Sequence, residues 1–471
     1  MKKMISALML AAALFITSCS AAGAPELLEF IKNMDENMDY GGVKVIIHSE
    51  NNEMNDEDTA WERILSYDTN TNYGDAINAR IKDIEEGLGV DIVLETDSEG
   101  SSTMRLKLMA GTYMADLVNY TDFGGMQNFA AANLLYPITD FSDYIDLSET
   151  WKYGDANVLE GGMINSVPYS VQPILWPNWQ ATGISSIIYN LDIMKENAIT
   201  DPHEFWENQN WTWENFEETY LKGVTLSKEG TWVFSASEKL YFYGLAYSND
   251  VQYISAGPDG NYIVNARPQE LSEVLQVGAQ WYADYKDKME LFSAFWDHEA
   301  FDEGNAFMTI SSATLAGTHE DISCGLMPFP SGPSNTYGTW AQAFDRIQGF
   351  GIPRSSFNPD VAAHVLSELF EPFDDYIGPI EEYYREMIFM TDLDAEIYME
   401  LISDARYDYT FDGGSDLMRA VNNNFSGAMV SGKSPGEALD LYSNAVLAIV
   451  EEHALPNYDY MYKNYYSELE E

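Results

Sequence analysis

The sequence predicts an α/β protein with two lobes. Short β-branched strands alternate with amphipathic helices over much of the chain, which is typical of an α/β sheet. About 450 of the 471 residues follow an N-terminal leader, more than a single hydrophobic core usually serves. A hydrophobic content of 46% with 14% aromatic residues supplies enough apolar material for packed cores.

The first 19 residues have the pattern of a secretory signal. Lys2-Lys3 precede an apolar run over 4–16, which is too short for a mature membrane span of ~20 residues. Cys19 follows Thr17-Ser18 and resembles the cysteine of a bacterial lipobox. The resemblance implies a signal peptide at 1–18, cleavage before Cys19 and acylation of that residue. An ordinary secretory signal with an incidental cysteine is the alternative.

The next segments predict a tether and the start of a sheet. Residues 19–40 are polar and acidic and are predicted to form the tether. A β-branched strand is predicted at 43–47 and a second strand at 90–94, with a helix at 75–88 between them. A helix capped by Ser101–Thr103 and a third strand at 116–119 follow. This order predicts a parallel sheet.

The middle of the chain is less regular. Residues 169–182 hold two Trp and two Pro and are predicted to form an irregular loop. A strand is predicted at 185–190. Thr212 is the expected N-cap of a helix that begins at Trp213, and both Trp211 and Trp213 are expected to pack in the core. Further helices are predicted at about 191–197, 268–287 and 360–371.

The charge of the chain excludes several partners. Seventy-six acidic against 24 basic residues give a net charge of −52. A field of that sign repels nucleic acid, anionic lipid and phosphate ligands, whereas neutral and cationic small molecules remain. The acids are spread along the chain, as on a solvated surface.

The residue types that commonly bind metals are scattered along the chain and form no known motif. With Cys19 acylated, Cys324 has no partner for a disulfide and is expected to be a small buried residue. The six His residues form no HExxH motif, and no GxGxxG or phosphate-binding loop occurs. We therefore expect neither a metal nor a cofactor.

Six segments occur in a familiar order, at 104–119, 134–140, 167–192, 213–216, 301–310 and 325–333. They include a helix that ends in Ala110-Gly111 before an acid-led strand, and Gly325–Pro333, which is rich in Gly and Pro. Together they resemble the extracellular solute-binding proteins of ABC importers, in the carbohydrate-binding group related to maltodextrin-binding proteins. Residues 171–184 depart from the family, because they are longer and richer in Trp.

The resemblance implies a periplasmic-binding-protein-like fold, with two lobes joined by crossing strands and a ligand cleft between them. Lobe 1 is expected at 41–160 and 326–390, and lobe 2 at 161–325 and 391–460. The ligand that the resemblance implies is a carbohydrate, expected to be an oligosaccharide. It is captured by closure and delivered to the permease subunits, with no bond made or broken. The protein is expected to be a monomer on the outer face of the cell membrane, held only by its lipid.

Neutral sugars are bound by aromatic faces together with polar groups that bind the hydroxyls. The irregular loop offers Trp176, Trp179 and Gln180. Loops at the carboxyl ends of strands are the usual ligand positions in such sheets. They and a later loop add Glu50, Tyr120, Asp122, Trp340, Asp345, Arg346 and Tyr407 as candidate ligand-binding residues.

Three alternatives stay open at this point. The cargo is a cation such as a polyamine, which the net charge favours. The chain is a lipid-anchored glycoside hydrolase, for which two carboxylates about 5–10 Å apart are needed. The chain is a structural lipoprotein without a ligand. The family order of the segments argues against an enzyme.

Overall fold

A computed structural model describes residues 38–440, except for the gaps named here: 51–71, 98–99, 113–114, 121–125, 127–128, 131, 155–158, 160–161, 165–166, 173–184, 252–253, 257–261, 265–268, 294–297, 320, 341–342, 345–348, 372–383, 405, 408–424 and 432. The predicted leader, the predicted tether up to residue 37 and Cys19 lie outside the described residues.

The described strands are β1 Val43–Glu50, β2 Val90–Asp97, β3 Leu117–Tyr120, β4 Met163–Ile164, β5 Val167–Pro168, β6 Ser185–Asn190, β7 Trp232–Ser237, β8 Ile254–Ala256, β9 Tyr262–Val264, β10 Met289–Phe292, β11 Ala306–Ser312, β12 Cys324–Met327, β13 Ala343–Phe344, β14 Gly349–Gly351 and β15 Arg406–Tyr407.

The helices are α1 Asn72–Leu88, α2 Gly100–Met109, α3 Thr150–Tyr153, α4 Leu191–Glu196, α5 Pro202–Glu207, α6 Trp213–Phe216, α7 Glu238–Ser248, α8 Gln269–Asp284, α9 Glu299–Asp302, α10 Leu315–Thr318, α11 Pro359–Leu369, α12 Asp392–Asp404 and α13 Gly427–Ser431.

The first sheet has four strands in the order β14-β3-β1-β2. β1 pairs in parallel with β2 over its full length and with β3 near its end, whereas β14 is antiparallel to β3. Strands β1, β2 and β3 therefore end at one edge of the sheet, which we term the first C-terminal edge. The opposite edge, where they begin, is the first N-terminal edge.

Helices cover both faces of the first sheet, because the side chains of β1 alternate between the faces. Val45 and Ile47 belong to the main core cluster, which also holds Ile84 of α1. Ile46 belongs to a second cluster, which holds Met104 and other residues of α2. The predicted strand–helix alternation at this end of the chain is therefore found in the structure.

The second sheet has five strands in the order β10-β7-β11-β6-β12. β7, β10 and β11 are parallel, and β6 is antiparallel to both β11 and β12. The predicted lobe boundary at residue 326 falls inside β12, all four residues of which pair with β6. The exact lobe boundaries stay predictions.

Sequence patterns located three of the seven described α-helices between these strands, namely α4, α6 and α8. Thr212 is the N-cap of α6, since its side chain accepts a hydrogen bond from the backbone N–H of Asn215. Trp211 and Trp213 are buried, as expected for packing residues, and the thiol Cys324 is also buried. The hairpin of β8 and β9 and the three-residue β14 had no clear pattern. No described helix has both the length and the apolarity of a bilayer span.

Buried ion pairs fix α11 against two other helices. Arg80 of α1 donates from Nε to the backbone oxygen of Glu368 at 2.8 Å and from Nη2 to its carboxylate at 3.2 Å. Lys152 of α3 donates to the carboxylate of Glu371, just beyond α11. All four side chains are at most 5% exposed. Burial lowers the pKa of Arg80, although the nearby carboxylates oppose that shift.

A second polar network joins β12 to α5 and α12. Asp394 accepts hydrogen bonds from the backbone N–H of Leu326 at 2.7 Å and from Thr391 Oγ1 at 2.6 Å. His203 Nε2 lies 3.1 Å from the same carboxylate. Burial lowers the pKa of His203, but the bond to Asp394 and its charge outweigh burial, so the pKa is raised overall. This network fixes the end of the second sheet to α12.

The buried pair of α1 and α11 supports a stability prediction. Replacing Glu368 with Ala leaves the Arg80 guanidinium buried without its carboxylate, so the free energy of unfolding should fall by about 3–5 kcal/mol. Denaturant titration measures this change. Glu86→Ala is the control, because the Lys82–Glu86 pair on the same helix is more than 70% exposed. An exposed pair contributes about 0–1 kcal/mol. Equal losses in the two variants would contradict the assignment.

Candidate functional site

Side-chain hydrogen bonds at the first C-terminal edge join residues near the ends of β1 and β3 to the first residue of β14. Ser49 Oγ donates to Asn119 Oδ1 at 3.2 Å, and Asn119 Nδ2 donates to the backbone oxygen of Gly349 at 3.4 Å. Ser49 and Asn119 are buried and paired in the register of β1 and β3. The next residues along these strands are Glu50 and Tyr120, so two predicted site residues end neighbouring strands.

A crossing segment packs closely against the same edge. Val171 and Phe350 exchange backbone hydrogen bonds of 3.0 and 2.8 Å. A Cβ atom at Gly349 would lie 2.9 Å from Ser170 Oγ and 3.1 Å from Ser170 Cβ, so the close approach of the Ser170 side chain favours glycine there. Ser170 and Gln172 are buried. Ser170 Oγ has no hydrogen-bond partner among the described residues.

Serine residues form the matching edge of the second sheet, where β7 and β11 end and β6 begins. Ser185 pairs with Ser312 and Ser186 pairs with Ser311. Within the described part of the chain, the buried Ser186 Oγ has no hydrogen-bond partner. The neighbouring β7 leads directly into α7, and burial raises the pKa of Glu238 at its start. The edge thus presents hydroxyl groups and a carboxyl.

One stretch of chain connects the two edges. Gln172 follows the crossing segment at the first edge, and Ser185 begins β6 at the second. Thirteen peptide units separate them, which span at most about 45 Å when extended. Trp176, Trp179 and Gln180 belong to this stretch and lie outside the described residues. In the sequence they follow the segment that packs on the first edge and precede β6.

A small parallel sheet that contains the predicted site residue Tyr407 is connected to the first edge by a short link. β13 pairs with β15, and Phe344 is directly opposite Tyr407. Only five peptide units separate Phe344 from Gly349, so these two backbones are at most about 18 Å apart. Asp345 and Arg346 fall in that short link. They and Asp122 lie outside the described residues.

Trp340 is positioned differently from the other candidates. The centroid of its ring lies 4.8 Å from that of Trp206, with the ring planes tilted by 30°, and 5.3 Å from that of Tyr337. Its backbone N–H donates to Asp404 Oδ2 at 2.7 Å, and the side chain is 5% exposed. Burial raises the pKa of the adjacent Glu400. Packing against α5 and α12 occupies most of this ring, and ligand binding by Trp340 stays a prediction.

The hydroxyl and amide groups of the two edges were not among the candidate residues predicted from the sequence. Asn119 was placed in the third predicted strand, and Ser170 and Gln172 were placed in the predicted irregular loop. The signal for Ser185-Ser186 and Ser311-Ser312 was present, since paired serines at the ends of apolar strands are unusual in a core. Among the described residues, no three His, Cys, Asp or Glu side chains cluster as metal ligands do.

Comparisons with known proteins were made by sequence and by structure. No family model and no curated sequence matches the chain. A cyclo/maltodextrin-binding protein complexed with maltotetraose is similar in structure, with a TM-score of 0.62 at 13% identity, over 86% of this chain and 97% of the other.

Two further solved structures are similar. An ABC substrate-binding protein from Listeria monocytogenes, in complex with cycloalternan, has a TM-score of 0.58 at 16% identity and covers 87% of this chain and 99% of its own. The GacH receptor of Streptomyces glaucescens GLA.O, described unliganded and with acarbose, has a TM-score of 0.57 at 12% identity and covers 87% and 99%. At such identities the likeness establishes the fold. It confirms the predicted two-lobed α/β architecture and, at the level of fold, the resemblance to maltodextrin-binding proteins.

The Ser49–Asn119–Gly349 bonds support a prediction about the first edge. Replacing Asn119 with Leu leaves a buried hydroxyl and a buried carbonyl without this amide, and the free energy of unfolding should fall by about 1–3 kcal/mol. Denaturant titration gives the value. Asn208→Ala is the control, since its exposed amide also donates to a backbone oxygen, that of Glu204. That loss should stay within about 0.5 kcal/mol. An Asn119 variant as stable as the control would refute the role of this bond.

Proposed function

We propose that the chain is the solute-binding component of an ABC importer, that it captures a neutral oligosaccharide, and that it is lipid-anchored through Cys19. The ligand lies between the two strand edges, and contacts from both lobes are completed by a hinge closure. The closed form is the one that the permease subunits receive, so binding shifts the balance between open and closed forms. No covalent step takes part.

One observation carries the choice of a neutral ligand. Residues 161–191 and 322–344 contain no Asp, Glu, Lys or Arg, although 21% of the whole chain is charged. The first range includes the crossing at Val171, the Trp-rich stretch and the start of β6. The second leads from β12 to β13, beside the first edge. These two segments beside the proposed cleft are therefore uncharged, and the charged candidates Glu50, Asp122, Asp345 and Arg346 belong to other segments.

The residues proposed to bind sugar divide into two kinds. Trp176 and Trp179 supply flat apolar faces for the C–H patches of the rings, as aromatic side chains do in small-molecule sites. Gln180 and the acids bind the hydroxyl groups, and Arg346 donates two parallel hydrogen bonds to adjacent hydroxyls. The complete proposed set is Glu50, Tyr120, Asp122, Trp176, Trp179, Gln180, Trp340, Asp345, Arg346 and Tyr407.

The fold neighbours favour a sugar over the other cargoes. Their descriptions name maltotetraose, cycloalternan and acarbose as bound molecules, and each neighbour is described as a binding protein or receptor. A polyamine remains the second candidate because of the net charge of −52. A glycoside hydrolase has no comparable support.

A ligand panel tests the proposal directly. A specific ligand raises the thermal midpoint of unfolding in proportion to its occupancy. We expect oligosaccharides of the maltodextrin type or other neutral glucans to raise it, and spermidine or putrescine to leave it unchanged. The double variant Trp176→Ala/Trp179→Ala should lose the sugar-induced shift while keeping its unliganded midpoint.

Trp232→Ala is the control for that variant, because Trp232 begins β7 at the end of the strand remote from the edge. It should retain the shift. A sugar shift that survives the double variant would move the site elsewhere. A shift produced by the polyamines alone would replace the sugar proposal, and release of shorter sugars would make the protein a hydrolase.

The anchor is tested by its cysteine. Replacing Cys19 with Ala should leave the precursor uncleaved or release the protein from the membrane fraction, because lasting attachment needs the acyl chains. Fractionation and immunoblotting measure the outcome. Cys324→Ala should stay anchored, since that thiol is buried in β12. A mature, membrane-bound Cys19 variant would contradict the anchor.

A further inference from the structure

The first N-terminal edge carries exposed apolar side chains that the proposed solute binding does not use. Among the described residues, four large apolar side chains are at least 60% exposed: Leu106, Met109, Phe357 and Met390. Leu106 and Met109 are three residues apart on α2, so they share one side of the helix. Phe357 follows Ser356, whose hydroxyl donates to Asp116 at the start of β3 at 2.7 Å. Helix α2 ends toward that same edge.

The surroundings of these side chains reverse the charge of the rest of the chain. Residues 100–115 contain Arg105 and Lys107 and no Asp or Glu, although the chain holds 76 acids. Arg105 is exposed, and so is Lys44 on β1. Lys44 lies on the same face as Ile46, which packs in one cluster with Met104 and Leu108 of α2. We term Lys44, Arg105, Leu106, Lys107, Met109 and Phe357 the α2 patch.

Three exposed acids lie at the margin of the patch. Asp91 is directly opposite Lys44 in the register of β1 and β2, Asp39 lies beside Gly89 just before β2, and Asp360 is on the first turn of α11. Asp116 is buried and accepts hydrogen bonds from the Ile46 backbone and from Ser356. Helix α2 itself carries Arg105 and Lys107 beside its exposed apolar side chains and has no acid.

The chain from the proposed anchor enters the fold at the same edge. The backbone N–H of Tyr40 donates to Leu88 at 2.8 Å, and β1 begins at Val43. About 20 residues separate Cys19 from the first described residue, which limits the distance between them to about 70 Å. The anchor thus keeps this edge near the membrane without fixing its orientation.

We infer that the α2 patch rests on the anionic lipid surface to which the protein is anchored, an inference that depends on the lipid anchor of the proposed function. Apolar side chains flanked by cations are the composition that binds such surfaces. The overall charge of −52 does not prevent the contact, because salt screens charges beyond about 8–10 Å at physiological ionic strength. A tether also raises the effective concentration of a weak contact to about the millimolar range.

The test uses the mature chain from residue 20, with a hexahistidine tag in place of Cys19 and its lipid. The tag holds the protein on vesicles that contain nickel-chelating lipid, so a failure of natural acylation does not affect the result. A Met109→Cys variant carries an environment-sensitive fluorophore. Met390→Cys is the matched control, because Met390 is also 60% exposed but lies next to α12. Cys324 is buried and is not expected to react.

On vesicles rich in phosphatidylglycerol, we expect a several-fold rise in fluorescence at position 109 and none at position 390. Lipids that carry a quencher should reduce the signal at 109. The rise should vanish at about 1 M salt, where the screening length is about 3 Å. The charge reversal Arg105→Glu/Lys107→Glu should also abolish it, while leaving any sugar-induced thermal shift unchanged.

Several outcomes would overturn the inference. Equal signals at 109 and 390 would show that the patch does not face the lipid. A rise of the same size on phosphatidylcholine alone would exclude recognition of anionic lipid. A rise without vesicles that grows with protein concentration would make the patch a contact between copies of the chain. A protein that shows the fluorescence rise at position 109 but no thermal shift with any sugar would contradict the proposed function and leave this inference standing.

Discussion

The backbone of Phe350 is the point on which the two halves of the molecule depend. On one side Phe350 pairs with Asn119 of β3, and on the other it exchanges two hydrogen bonds with Val171. Strand β14, from the last third of the chain, therefore lies between β3 and the segment around Val171, which leads away from the first sheet. The side chain of Ser170 leaves little room for a side chain at Gly349. Both crossings therefore occur at the edge where the parallel strands end, and the stretch that contains Trp176 and Trp179 begins there.

Local patterns in the sequence were sufficient for β1, β2, β3, α1 and α2. Runs of β-branched apolar residues identified β1 and β2, and one-sided apolar spacing identified α1, because such patterns depend only on neighbours in the chain. Strand β14 has three residues, two of them glycine, and exists because β3 and Val171 supply partners for its backbone. Nothing in its own composition predicts it. The same holds for the hairpin of β8 and β9, which is made of two three-residue strands.

Some features of the candidate site could likewise be predicted from local patterns, whereas others depend on distant parts of the chain. The topology placed Glu50 and Tyr120 on adjacent strand ends, which follows from the carboxyl-end rule for parallel sheets. Trp340 was selected as an aromatic residue in a loop, yet its burial results from Trp206, a residue more than 130 positions earlier, and from α12. Arg80 and Lys152 likewise look like surface residues of helices in the sequence. Their burial depends on carboxylates of a distant segment, which no local pattern reveals.

The chain enters β1 at the first N-terminal edge, whereas β1, β2 and β3 end at the opposite edge. This separation has a mechanical consequence. Strand β1 runs from one edge to the other over eight residues, a distance of about 23 Å. With Cys19 acylated as proposed, the chain between that residue and Met38 would be up to about three times longer than β1. In the proposed role, such a length would let the molecule turn its strand ends either toward the medium or toward the bilayer. A connecting chain shorter than the strand would hold it in one orientation.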